Sequence, residues 1–199
     1  YRDGQDHRLP YDPAAPIQEQ VRQSFESSLK NFGFTYFDSL LIHGPERRDR
    51  LTENDWQVWK ELERIYDEKR VRAIGISNAS AAQVEELWLR SRVKPSFVQN
   101  RCYPMIAWDP SVRAVCLARG IVYQAFSLVR EEWLRAPALA AIARSLGDSV
   151  TEAQVLYAYA WTSGLLPMTG TTNALHRAQA LASRKLTLSP AQLAAVNTL

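Results

Sequence analysis

The chain has little of what would staple, anchor or charge it. Cys102 and Cys116 are its only two cysteines. They are too few for a disulfide framework and not spaced as C-x-x-C, so no disulfide set and no metal site is indicated. Reduced, half-buried thiols in a cytoplasmic protein are expected. No uninterrupted apolar run approaches the about 18 residues that a membrane-crossing helix needs, which argues against a membrane span. The start, Tyr1-Arg2-Asp3-Gly4-Gln5-Asp6, is polar, unlike a signal peptide. It also lacks an initial Met, and the native start is expected to lie upstream. The formal charge of +3 is small and spread along the chain. No basic run is interleaved with aromatics, so a nucleic-acid partner is not expected. There is no internal repeat, low-complexity segment or dividing linker, and 1–199 reads as a single domain.

What is present is enough apolar sequence, 46% of 199 residues, for one sizeable core. The organising stretch is Phe37-Asp38-Ser39-Leu40-Leu41-Ile42-His43-Gly44-Pro45. Its short apolar run predicts a strand over 37–42 buried on both faces, as in a parallel sheet covered by helices. His43 stands at its carboxyl end, where such folds gather their chemistry. The plainer alternative is a hydrogen-bonded core histidine.

Around that strand the pattern alternates. Pro16 opens a helix to about Asn31, ended by Gly33. Thr52 caps a helix to about Lys69, with Trp56, Trp59, Leu62 and Ile65 as its inner stripe. A strand over 72–78 follows, and Ser80 caps a helix over 81–90. Further strands are predicted over 95–99, 121–126 and 165–168. Helices are predicted over 110–118, 137–146 and 151–162, and the end is helical, with Ser189-Pro190 opening its last turns. Strand and helix in alternation predict an α/β fold with right-handed crossovers.

Each strand ends on polar residues: Leu41-Ile42-His43-Gly44-Pro45, Gly75-Ile76-Ser77-Asn78, Val98-Gln99-Asn100, Ala125-Phe126-Ser127 and Pro167-Met168-Thr169-Gly170-Thr171-Thr172. With Ser28-Leu29, Lys69-Arg70-Val71-Arg72-Ala73 and Gly4-Gln5-Asp6, this order resembles the aldo-keto reductase family, its fungal members in particular. The resemblance covers essentially the whole chain. It implies a (β/α)8 TIM-barrel fold, here a barrel incomplete at its N-terminus with about five of the eight parallel strands, and NADPH as cofactor. By the same resemblance His43 hydrogen-bonds the substrate carbonyl. Ser77, Asn78 and Gln99 hold the nicotinamide carboxamide, and Phe126 stacks on the ring. Those residue types suit such roles, since a carboxamide needs donors and acceptors and a flat ring needs an aromatic face. Thr171, His176 and Arg177 would meet the cofactor's phosphate end. Tyr103, Trp108 and Gln124 are candidates to shape the substrate pocket, with ordinary loop packing as the alternative for the first two.

The sequence also departs from the family. Its catalytic Asp, Tyr and Lys precede the position matching Tyr1. Met168 stands where many members have Lys, and Gln179 and Ala180 stand where Glu and Asn or Asp are usual. Weak NADPH binding and slow redox turnover by this polypeptide are therefore expected. Three functions stay open: an NADPH-dependent reductase of a small aldehyde or ketone; a shortened barrel reused for non-redox dehydration, cyclisation or isomerisation, with His43 as acid or base; and a non-catalytic subunit that docks through Trp56/Trp59 and Leu87/Trp88. An open barrel would leave edge strands, which homo-oligomer formation or rearranged elements would cover.

Overall fold

The computed structural model describes residues 9–199. Tyr1 and the Gly4-Gln5-Asp6 motif lie outside the described residues. The chain divides after Val98 into two compact units, each taken by itself below. Its strands follow chain order, β1-β2-β3-β4-β5.

In the first unit, Pro16 stands just before α1 (Ile17–Phe32), and Gly33 ends the helix at φ 68° with its N–H on the Leu29 and Lys30 carbonyls. That left-handed cap suits glycine, which has no Cβ to clash. β1 (Leu40–Ile42) is shorter than the predicted 37–42. Phe37 joins Val71 only through an isolated bridge, and its ring stacks edge-on with Phe25, Phe32 and Phe34. The β1 residues are half-buried, not buried on both faces. β1 is the end strand of the order, with β2 as its paired neighbour among the described residues, so solvent reaches it.

α2 (Glu53–Asp67) starts on a capping box. Asp55 N–H donates to Thr52 Oγ1 at 3.2 Å, and Thr52 N–H donates to Asp55 Oδ2 at 2.8 Å. Two helix donors are thereby satisfied reciprocally. The predicted inner stripe is buried, with Trp59 and Ile65 only 1% and 0% exposed. The same helix buries Glu61 and Glu63, and neither is left bare. Glu61 accepts from Arg22 Nε at 2.9 Å and Arg64 Nη1 at 3.0 Å. Glu63 accepts the Arg92 and Val93 N–H groups at 2.9 and 2.8 Å. Unpaired, either carboxylate would be strongly destabilising.

β2 (Ile74–Ser77) is wholly buried. It pairs in parallel with β1 in the register Leu40↔Ile74, Leu41↔Gly75, Ile42↔Ile76. A Cβ at Gly75 would lie 2.3 Å from the Phe97 carbonyl oxygen and 3.1 Å from Leu41 Cγ. α3 (Ala81–Arg90) carries a second capping box, Ser80 with Gln83. Trp56, Trp59 and Leu87 are buried, and Trp88 is half-buried. β3 (Phe97–Arg101) runs through the division, two residues later than predicted.

The second unit continues with α4 (Pro110–Arg119), closed by Gly120, and β4 (Val122–Phe126). After the short α5 (Glu131–Leu134) come α6 (Pro137–Leu146) and α7 (Glu152–Thr162). β5 (Leu166–Pro167), α8 (Ala174–Ala182) and α9 (Pro190–Asn197) complete it. Thr151 and Ser189 supply capping boxes. β4 and β5 pair in parallel, Gln124↔Leu166 and Ala125↔Pro167. Leu139, Val155, Leu156, Tyr159 and Val196 are at most 1% exposed and form the core. α5 and the 3-10 turn Pro104–Ile106 are absent from the sequence prediction, being too short to show a hydrophobic period.

Two outcomes follow. Gly75→Ala is expected to lower stability by about 2 kcal/mol or more, read as a shift of the urea midpoint, because the Phe97 oxygen is backbone and has nowhere to go. Cys102 and Cys116 are both buried, 0% and 1% exposed, rather than half-buried, and burial pushes each thiol up to about 12. Neither is expected to react with a thiol reagent at pH 8 in the native state. Both should react at once in denaturant. Rapid native labelling of either would contradict that burial.

Candidate active site

In the first unit the parallel register sets the site. Because Ile42 pairs with Ile76, the residues next in line are His43 from β1 and Ser77 and Asn78 from β2. His43 is exposed and Ser77 buried, so the reading of His43 as a core histidine falls. Asn78 takes the left-handed conformation at φ 53°, which asparagine tolerates better than most residues. Its Nδ2 donates to the His43 carbonyl at 2.7 Å and to Ser77 Oγ at 3.2 Å. A cavity of about 270 Å³ is lined by His43 together with Tyr11, Ser24 and Ser28. Tyr11, in the loop before α1, shares that cavity with His43.

In the second unit, Gln99 Nε2 donates to Gln124 Oε1 at 2.8 Å, so two of the predicted residues are neighbours. Phe126 ends β4 half-buried, with the Arg101 guanidinium 5.5 Å from its ring centroid. Tyr103 stacks on Trp133, centroids 5.2 Å apart and planes 5° from parallel. Trp108 is 1% exposed and packs on Tyr159 at 4.7 Å, inside the core of this unit.

Trp108 belongs to a run of three left-handed residues, Ala107, Trp108 and Asp109, at φ 49°, 63° and 54°. Asp109 stands at the start of α4, just before Pro110, and makes no side-chain cap bond. Its Oδ2 accepts instead from Tyr123 OH at 2.7 Å and Asn100 Nδ2 at 3.0 Å. Burial first, with the Cys102 sulfur and the Asp109 carboxylate adding, pushes the Tyr123 phenol far above its ordinary range. It is therefore a neutral donor at working pH.

The phosphate-end candidates separate. Thr171 and His176 line a cavity of about 490 Å³, with Thr169, Gln179, Thr151 and Glu152 also on its wall. The Arg177 guanidinium turns back to the Thr172 carbonyl at 2.7 Å. Asn173 Oδ1 accepts from the Leu175 and His176 N–H groups at 2.8 and 3.3 Å, capping α8. Threonine hydroxyls, an amide and an imidazole suit a phosphate-bearing group, while Glu152 opposes one. The wall carries neutral donors, one imidazole and one carboxylate but no Lys or Arg, so it fits a phosphate only in part. Among the described residues, no group of three His, Cys, Asp or Glu is placed to hold a metal ion, and no helix is long and apolar enough to cross a membrane.

Comparison with known proteins gives this geometry a lineage. The chain is 32% identical over 156 residues to the uncharacterized oxidoreductase YtbE of Bacillus subtilis, covering 77% of this chain and 52% of that protein. It is 31% identical over 135 residues to the glyoxal reductase of the same organism, covering 67% and 47%. It thus spans about half the length of these relatives. Among solved structures, an aldo/keto reductase from Brucella melitensis superposes with a TM-score of 0.82 at 24% identity, covering 90% of this chain and 66% of that one. A Bombyx mori aldo-keto reductase in complex with NADP gives 0.79 at 25%, covering 90% and 62%. The fold is that of the (β/α)8 barrel, of which the described residues supply five strands. The model of the aldo/keto reductase family matches residues 13–199. The chain belongs to the aldo-keto reductase family.

Proposed function

We propose that this chain serves the NADPH-dependent reduction of a small aldehyde or ketone. The observation that carries the reading is the strand-end set in each unit: His43 beside Ser77 and Asn78, and Gln99 bonded to Gln124 two residues before Phe126. Family membership and the NADP complex of a structural neighbour support it. In this reading Ser77, Asn78 and Gln99 hold the carboxamide and Phe126 fixes the ring's face. Thr171 and His176 take the phosphate end, with Arg177 joining after leaving Thr172. A bound reduced nicotinamide supplies the hydride. His43 donates a hydrogen bond to the substrate carbonyl, which favours the negative charge that develops on that oxygen. The reading also includes a cytoplasmic location, a fungal-type place within the family, and self-association through the outer edges of β1 and β5.

A second reading draws on Tyr11 and His43 lining one cavity: acid–base chemistry without redox, with the imidazole as the proton carrier.

The 199-residue polypeptide by itself is expected to bind NADPH weakly and to reduce carbonyls slowly. A positioned proton donor contributes about 10²–10⁴-fold, and here His43 would have to orient the carbonyl and supply the proton. NADPH fluorescence titration, with oxidation followed against a panel of aldehydes, checks both parts. Tight binding with rapid turnover would show that another group, Tyr11 first among the described residues, serves as donor. His43→Ala should abolish whichever turnover is found while leaving the thermal melt in place, and unchanged turnover would remove His43 from both readings.

A further inference from the structure

We propose that Asn78 is a positioning residue for His43: its side-chain amide is a strut between the ends of β1 and β2 that sets the direction of the imidazole. A backbone carbonyl oxygen can only accept a hydrogen bond. The Asn78 atom 2.7 Å from the His43 carbonyl is therefore the nitrogen. The second proton of that nitrogen faces Ser77 Oγ at 3.2 Å. Both amide protons are thus committed within the protein, and Oδ1 alone remains to meet a ligand. Bonding the His43 carbonyl fixes the plane of the peptide between His43 and Gly44, and with it the direction in which the His43 side chain leaves the backbone.

The surroundings agree. A Cβ at Gly44 would lie 3.5 Å from Asn78 Cβ and 3.6 Å from the Ser77 carbonyl oxygen, so the chain turn after His43 sits in van der Waals contact with the end of β2. The left-handed φ of 53° at Asn78 turns the chain there while its amide spans to β1. β1 has ended at Ile42, and the β1–β2 register has ended with it. The Asn78 amide is a hydrogen-bonded tie between the two chain segments beyond the ladder. Without the strut, His43 would stand on a loosened loop. The consequence for catalysis rests on the carbonyl-reduction reading, whereas the contact itself does not.

Two variants separate the strut from its alternatives. Asn78→Gly keeps the left-handed backbone at no steric cost and deletes the amide. Asn78→Asp keeps the size and an acceptor oxygen but replaces the donor with a carboxylate facing a carbonyl. In the full chain labelled with ¹⁵N-histidine, the His43 imidazole signals, assigned by their loss in His43→Ala, are expected to shift and broaden in both variants. Those of His176 should stay in place. With an aldehyde that the wild type reduces, kcat should fall about tenfold in both, as displaced reacting groups do. Circular dichroism confirms folding. His43 signals superimposable on the wild type in both variants would overturn the strut, and a loss of NADPH affinity alone would make Asn78 simply a cofactor ligand. Failure of the wild type to bind NADPH counts against the functional reading, and the histidine signals then decide the strut by themselves.

Discussion

Gly75 is the constraint on which the first unit turns. Strand β2 passes so close to the Phe97 backbone that a methyl group in place of its hydrogen would sit 2.3 Å from a carbonyl oxygen. That approach holds Leu41 against Gly75 in the parallel register. Once the register is set, the residue after Ile42 and the residues after Ile76 must arrive together. His43, Ser77 and Asn78 are neighbours because a strand ladder counts residues, not because they attract one another. A slip of one residue would send each to the opposite face.

The buried acids of α2 show how this unit reconciles a charged helix with a dry core. Glu61 and Glu63 are 2% and 9% exposed, yet each meets cationic or N–H donors from a different segment. Arg22 of α1 is shared between Glu61 and Glu68, and these carboxylates push its guanidinium pKa above the ordinary value. Such pairs add little net stability compared with apolar packing. They do fix which face of α1 lies on α2, since a rotated helix would leave a carboxylate buried alone.

Helix starts were the most legible part of the sequence, because a cap is a local event. Thr52, Ser80, Thr151 and Ser189 each open a helix with a reciprocal bond three residues on. Strand limits were less so. The apolar run at 37–42 reads as one strand, but Phe37 is drawn into an aromatic cluster by tertiary contact and only Leu40–Ile42 keep the ladder. Of the site, the strand-end residues could be read from order and type. The Asn78–His43 bond could not be, since it depends on a backbone turn and on two positions far apart in sequence. The partners of Asp109 were equally hidden, since the fold sends its carboxylate to Tyr123 and Asn100.

The run Ala107, Trp108, Asp109 carries a consequence for how this region comes apart. Each left-handed residue other than glycine costs about 1–2 kcal/mol, and three in succession persist only under external hold. The hold is the buried Trp108 ring on Tyr159, the Trp108 carbonyl taking bonds from Cys102 Sγ and Arg113, and the Asp109 carboxylate accepting from Tyr123 and Asn100. Ring and loop are one mechanical element. Withdrawing the indole would release the strain, and the relaxed loop would no longer present the indole to its slot. Opening here is consequently all-or-none: amide protons of the loop should exchange in step with those of α7, as parts of one cooperative block.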